Sequence, residues 1–140
     1  MEIITEIITQ KFREYNQMYF NRELPLPRIY LLKSYRTCGM FSCDKIIGCR
    51  RLKRQQIDIS CYYDWREEDL RDVLVHEMVH YCLAYKHIDN NLSHGEEFLK
   101  MSKELNDKYG LKITVIVDAT HFKRTAQAPR LSYFGARYIL

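Results

Sequence analysis

The sequence predicts an α+β fold: an N-terminal helix, a small, mostly antiparallel sheet, and two helices carrying an H-E-x-x-H motif. Three observations predict it. Apolar residues recur at steps of three and four at the start of the chain, which is helical spacing, and WREEDLRDVLVHEMVHYCLAYK runs without Pro or Gly as one long helix. Ile57 and Ile59 alternate with Asp58 and Ser60, as in a half-buried strand. Two helix-start signals, D-x-x-E at Asp64 and S-x-x-E at Ser93, then open the second half.

In chain order, residues 2–20 place Ile4, Ile8, Phe12, Tyr15 and Tyr19 on one face, an amphipathic helix. Pro25 and Pro27 stop it and force extended backbone before them. Arg28 to Lys33 reads as a strand. Thr37 to Arg50, punctuated by Gly39 and Gly48, reads as a hairpin, and Gln56 to Tyr62 as a further strand. Asp64 is placed to accept from early backbone N–H groups of a long helix, with Glu67 in its first turn where negative charge suits the dipole. No Pro or Gly interrupts that helix before Lys86. Ser93 and Glu96 form a capping box for a second helix that holds His94 in its first turn and runs to Tyr109, where Gly110 stops it. The β-branched run from Ile113 to Val117 reads as a strand. In the tail, residues 118–140, turn signals at Pro129 and Gly135 suit a last hairpin.

Size and composition suit one globular domain over residues 1–140, with 46% hydrophobic and 29% charged residues. A core of this size does not need a metal as a staple. No apolar run approaches the roughly 18 residues of a membrane span, so no membrane partner is expected. The N-terminus carries acidic residues early and lacks the basic-then-apolar order of a signal peptide. The expected location is therefore cytoplasmic, with Cys38, Cys43, Cys49, Cys61 and Cys82 as reduced thiols. The five- and six-residue spacings among the first three match no common zinc pattern, and buried thiols near strands are expected instead.

The chemistry lies in His76-Glu77-Met78-Val79-His80. Residues four apart share a helical face, so both imidazoles can reach one ion, while Glu77 is displaced around the helix. A zinc ion with three protein ligands and one water lowers that water's pKa to about 7. A carboxylate beside it then serves as general base, taking the proton during attack on a carbonyl and returning it to the leaving amine. The apolar Met78 and Val79 place the motif on a face that is at least partly buried, where unpaired imidazoles are uncommon. Surface imidazoles on a polar stripe are the plain alternative. For the third ligand the spacing favours His94, which an antiparallel helix pair brings back towards His80. Glu96 and Glu97 are its rivals, and His87 reads as a dipole partner at the helix end.

Together with YNQMYFNRELPLP (Tyr15 to Pro27), TCGMF (Thr37 to Phe41), IDISCYYD (Ile57 to Asp64) and SHGEEFLKM, this motif resembles the SprT-like metalloproteases, of the Spartan type. The resemblance covers roughly residues 10 to 117. It implies a zincin-like peptidase domain with one catalytic Zn2+, ligands at His76, His80 and His94, and the base at Glu77. It also implies protein substrates crosslinked or tightly bound to DNA, with single-stranded DNA as a partner. Many relatives carry a cysteine-paired zinc ribbon after this core, whereas His121 to Leu140 holds no cysteine.

A net charge of +4 permits contact with nucleic acid without demanding it. Arg50, Arg51, Lys53 and Arg54 cluster just before a strand and read as a phosphate-binding loop or, more plainly, as a solvated turn. Tyr62, Tyr63 and Trp65 suit either base stacking or the core, with the core expected for at least two of them. Three functions follow: a DNA-associated zinc protease, a cytoplasmic zinc protease with no DNA role, and a non-enzymatic zinc scaffold. The presence of Glu77 weighs against the last, because a structural site has no use for a base.

Overall fold

The computed structural model describes residues 1–45, 51–88, 94–118, 122–125 and 137–139. Gly48, Cys49, Arg50, Ser93, His121, Pro129 and Gly135 lie outside them. The elements are helix α1 (Thr5–Tyr19), strands β1 (Arg28–Leu32), β2 (Gly39–Lys45), β3 (Leu52–Ser60) and β4 (Tyr63–Asp64), helices α2 (Glu67–Tyr85) and α3 (Glu96–Tyr109), and strands β5 (Ile116–Asp118), β6 (Lys123–Arg124) and β7 (Arg137–Ile139). The fold is α+β, as expected.

The main sheet has the order β1-β3-β2. β2 and β3 form an antiparallel hairpin, whereas β1 runs parallel to β3, so the sheet is mixed. The chain reverses direction between β1 and β2 but leaves one strand position open. β3 fills that gap running the same way as β1. The pairs β4–β6 and β5–β7 are antiparallel. Alternation sets the faces: Ile57 and Ile59 are fully buried, while Tyr30 and Met40, in register across Asp58, are exposed.

α2 is the central element. Twelve of its nineteen residues are buried, from Leu70 to Ala84, so it is wrapped on nearly all sides rather than amphipathic. α1 lays Ile8, Phe12 and Tyr15 into the same core. The far end of α2 closes in a Schellman motif: Ile88 N–H donates to the Leu83 carbonyl and His87 N–H to that of Ala84. His87 takes the left-handed conformation at φ 56°. Gly110 ends α3 in the same conformation, as its type suggests.

Several local expectations give way to tertiary pairing. Asp64 does not cap α2: it belongs to β4, pairs in register with Lys123, and leaves Arg66 at the helix start. His94 precedes α3 rather than lying in its first turn, and Gly95 is the residue at the cap. The strand expected from Gln56 begins earlier, at Leu52, and pairs with β2, while residues 46–50 of the expected hairpin lie outside the described residues. Lys53 and Arg54 are therefore strand residues. A bulge follows, with three steps from Lys53 to Gln56 opposite two from Asp44 to Ser42, and Arg54 at φ 56° absorbs the extra residue. Only the end of the run Ile113 to Val117 joins a ladder. Among the described residues, β6 pairs with β4 and β7 with β5, while the turn signals at Pro129 and Gly135 lie outside them. Tyr63 and Trp65 are core residues, and Tyr62 packs its ring 4.9 Å from that of Tyr35. No helix among the described residues is long and apolar enough to cross a membrane.

Candidate metal centre

α2 places His76 and His80 one turn apart, and His94 approaches them from the residues just before α3. The three Nε2 atoms form a near-equilateral triangle: 3.2 Å from His76 to His80, 3.2 Å from His76 to His94 and 3.3 Å from His80 to His94. Three nitrogens around a tetrahedral ion at ordinary Zn–N lengths are about 3.3–3.4 Å apart. The triangle therefore fits a metal ion. It is the one group among the described residues with the donors for that role. Neither Glu96 nor Glu97, the rival candidates, belongs to it.

Two features aim the imidazoles. His76 Nδ1 lies 2.8 Å from the Thr114 carbonyl, which can only accept, so Nδ1 carries the proton and Nε2 keeps its lone pair for the centre. The ring of Phe98, buried on α3, lies 4.7, 4.6 and 4.8 Å from the rings of His76, His80 and His94. It packs against all three at once. Phe98 sits four residues beyond His94, a spacing that was visible in the sequence but not singled out. Thr114 acts through its backbone and left no signal at all.

Glu77 is 1% exposed, and burial pushes its carboxyl up to about 8, against an N–H donated by the Phe41 backbone. Its Oε2 has no hydrogen-bond partner and lies 3.9 Å from His76 Nε2. A buried carboxylate oxygen left unpaired is costly unless something in its working state uses it. A cation at the three nitrogens favours the ionised form, opposing the burial.

Arg51 lines a cleft of ≈ 460 Å³ with Pro25, Leu52, Gln55 and Tyr85. Lys53 and Arg54 are exposed on β3, and Arg54 pairs with Asp44 at 3.5 Å. Cys38, Cys61 and Cys82 are buried free thiols and Cys43 is half-buried; none joins a metal-binding group among the described residues.

The model of the SprT-like family matches residues 8–117 of this sequence. No curated protein matches it.

Proposed function

Because the chain belongs to the SprT-like family, we propose that it is a zinc-dependent endopeptidase with His76, His80 and His94 as ligands and Glu77 as general base. The observation that carries this reading is the triangle of Nε2 atoms with an unpaired, buried carboxylate oxygen beside it. Zinc bound there supplies a Lewis acid that polarises the scissile carbonyl and acidifies water. Glu77 then accepts a proton at Oε2 and carries it to the leaving amine, while the Phe41 N–H holds the carboxylate in place. The Thr114 carbonyl keeps His76 in the tautomer that presents Nε2. Burial around α2 screens these groups from bulk water, which strengthens each interaction.

The proposed substrates are proteins crosslinked or tightly bound to DNA, in keeping with the family, with single-stranded DNA met by Arg50, Arg51, Lys53 and Arg54. The exposure of Lys53 and Arg54 and the place of Arg51 in the cleft support this. The ion pair of Arg54 with Asp44 favours the second reading, a zinc protease with no DNA role, because it takes one charge from the patch. The test is cleavage of a DNA-bound protein by the zinc-loaded chain, with and without single-stranded DNA, beside Glu77→Gln. Cleavage that requires DNA and is absent in the variant supports the first reading. Cleavage indifferent to DNA supports the second. Zinc binding without cleavage of any protein substrate leaves a scaffold.

A further inference from the structure

The carbonyl that meets His76 is itself held by a side chain distant in sequence. Asn106, in the last turn of α3, clamps the residue before Thr114 on both sides of its backbone. Ile113 N–H donates to Asn106 Oδ1 at 2.9 Å, and Asn106 Nδ2 donates to the Ile113 carbonyl at 3.1 Å. Because the peptide is planar, fixing the Ile113 carbonyl fixes the whole plane that links it to Thr114. Only the two backbone torsions of Thr114 then separate that plane from the carbonyl facing His76. The Thr114 hydroxyl restricts the chain just beyond by donating to the Ile116 carbonyl at 2.9 Å. On the other side, Lys112 N–H donates to Asp72 Oδ1 on α2 at 3.3 Å. Leu111 and Ile113 are buried beneath these bonds.

We propose that Asn106 is a positioning residue of the metal centre: by clamping Ile113 it aims the Thr114 carbonyl at His76 Nδ1, and so turns His76 Nε2 towards His80 and His94. This rests on the metal reading above. The contact of His76 Nδ1 with the Thr114 carbonyl is short, at 2.8 Å, and an acceptor there favours the tautomer that carries the proton on Nδ1. A loosened segment lets the carbonyl swing away, and the ring then samples the tautomer that puts a proton on Nε2. Outer partners of this kind typically alter metal affinity ten- to hundredfold.

The fold supplies its own control. Asn16, near the end of α1, makes the same two-sided clamp on Leu24: Leu24 N–H donates to Oδ1 at 3.2 Å and Nδ2 donates to the Leu24 carbonyl at 2.8 Å. The segment it holds is not the one that meets His76. A merely structural role for Asn106 therefore predicts that Asn16→Ala and Asn106→Ala behave alike.

The experiment measures zinc affinity by chelator competition on the full chain for the parent, Asn16→Ala, Asn106→Ala and Asn106→Asp, with thermal unfolding of each metal-free form. Both alanine variants are expected to lower the metal-free midpoint. Asn106→Ala is expected to weaken zinc by about ten- to hundredfold, against less than about threefold for Asn16→Ala. If Asn106→Ala does not fold, Asn106→Asp carries the comparison. It keeps the acceptor for Ile113 N–H and puts an oxygen against the Ile113 carbonyl, so it too is expected to weaken zinc. Equal zinc affinity in the Asn106 and Asn16 variants overturns the inference alone. A parent chain that takes up no zinc overturns the metal reading and this one with it. A second readout, nitrogen NMR of the metal-free protein, is expected to show His76 protonated at Nδ1 in the parent and mixed between its nitrogens in Asn106→Ala.

Discussion

A methyl group on Gly39 would lie 3.3 Å from both Cγ and Oε2 of Glu77 and 3.0 Å from Val73 Cγ1, so strand β2 meets helix α2 so closely that any side chain there presses on both. The backbone of Gly39 is ordinary; space, not a left-handed turn, is what it provides. Two residues on, the Phe41 N–H reaches the same carboxylate. The edge of the sheet thus sets where the proposed base points.

Gly39→Ala is accordingly expected to lower kcat at least tenfold while zinc content stays at the parent's level, since small misplacements of reacting groups are costly. Overpacking against Val73 also costs about 1–3 kcal/mol of stability. Zinc analysis beside steady-state kinetics separates the two effects. Unchanged kcat in a folded, zinc-loaded variant contradicts the positioning of Glu77 by β2.

Glu77→Gln is expected to reduce cleavage by roughly 10²–10⁴-fold, the usual size of a general-base contribution, with zinc retained. Because the replaced carboxyl is buried and one oxygen is unpaired, the metal-free variant is also expected to unfold at a higher temperature than the parent. A variant that cleaves at the parent's rate removes Glu77 from the chemistry.

Zinc itself should stabilise the fold, because His94 ties the start of α3 to α2. At a free concentration about a hundredfold above Kd, the gain is about 2.7 kcal/mol, or a rise in Tm of roughly 10 °C for a chain of this size. Calorimetry with zinc and with a chelator measures it. The rise should largely vanish in His94→Ala; a rise of the same size there would exclude His94 as a ligand.

Alkaline pH is expected to weaken the fold. Burial pushes Tyr15 from 10.0 up to about 12, and Cys38 from 9.0 up to about 12. In both the folded pKa lies above the unfolded one, so the contribution is whole below pH 9 to 10. It is lost as pH rises towards 12. Urea titrations of the metal-free chain should show the midpoint falling across that window, with Tyr15→Phe reducing the fall above pH 10. A profile that is the same in Tyr15→Phe and the parent counts against the role of Tyr15.

Much of the architecture was legible in the sequence because helices answer to local periodicity. α1, β1 and α2 fall within a few residues of where spacing, composition and helix signals placed them. The errors share one cause. Asp64 has the composition of a cap but pairs with Lys123, and Ile113 has the composition of a strand but is clamped by Asn106. In each case a contact made across the fold outweighs a weak local preference.

The sequence by itself determined that His76 and His80 share one face of a helix with Glu77 beside them, and that Gly110 closes α3 at a positive φ. Those are consequences of helical pitch and of a missing Cβ, which act over a few residues. Only the tertiary structure decided that His94, not Glu96 or Glu97, completes the triangle, that Phe98 packs against all three rings, and that Gly39 and Thr114 frame Glu77 and His76. These arrangements depend on segments up to 38 positions apart being packed together, and the packing of the whole core sets their geometry.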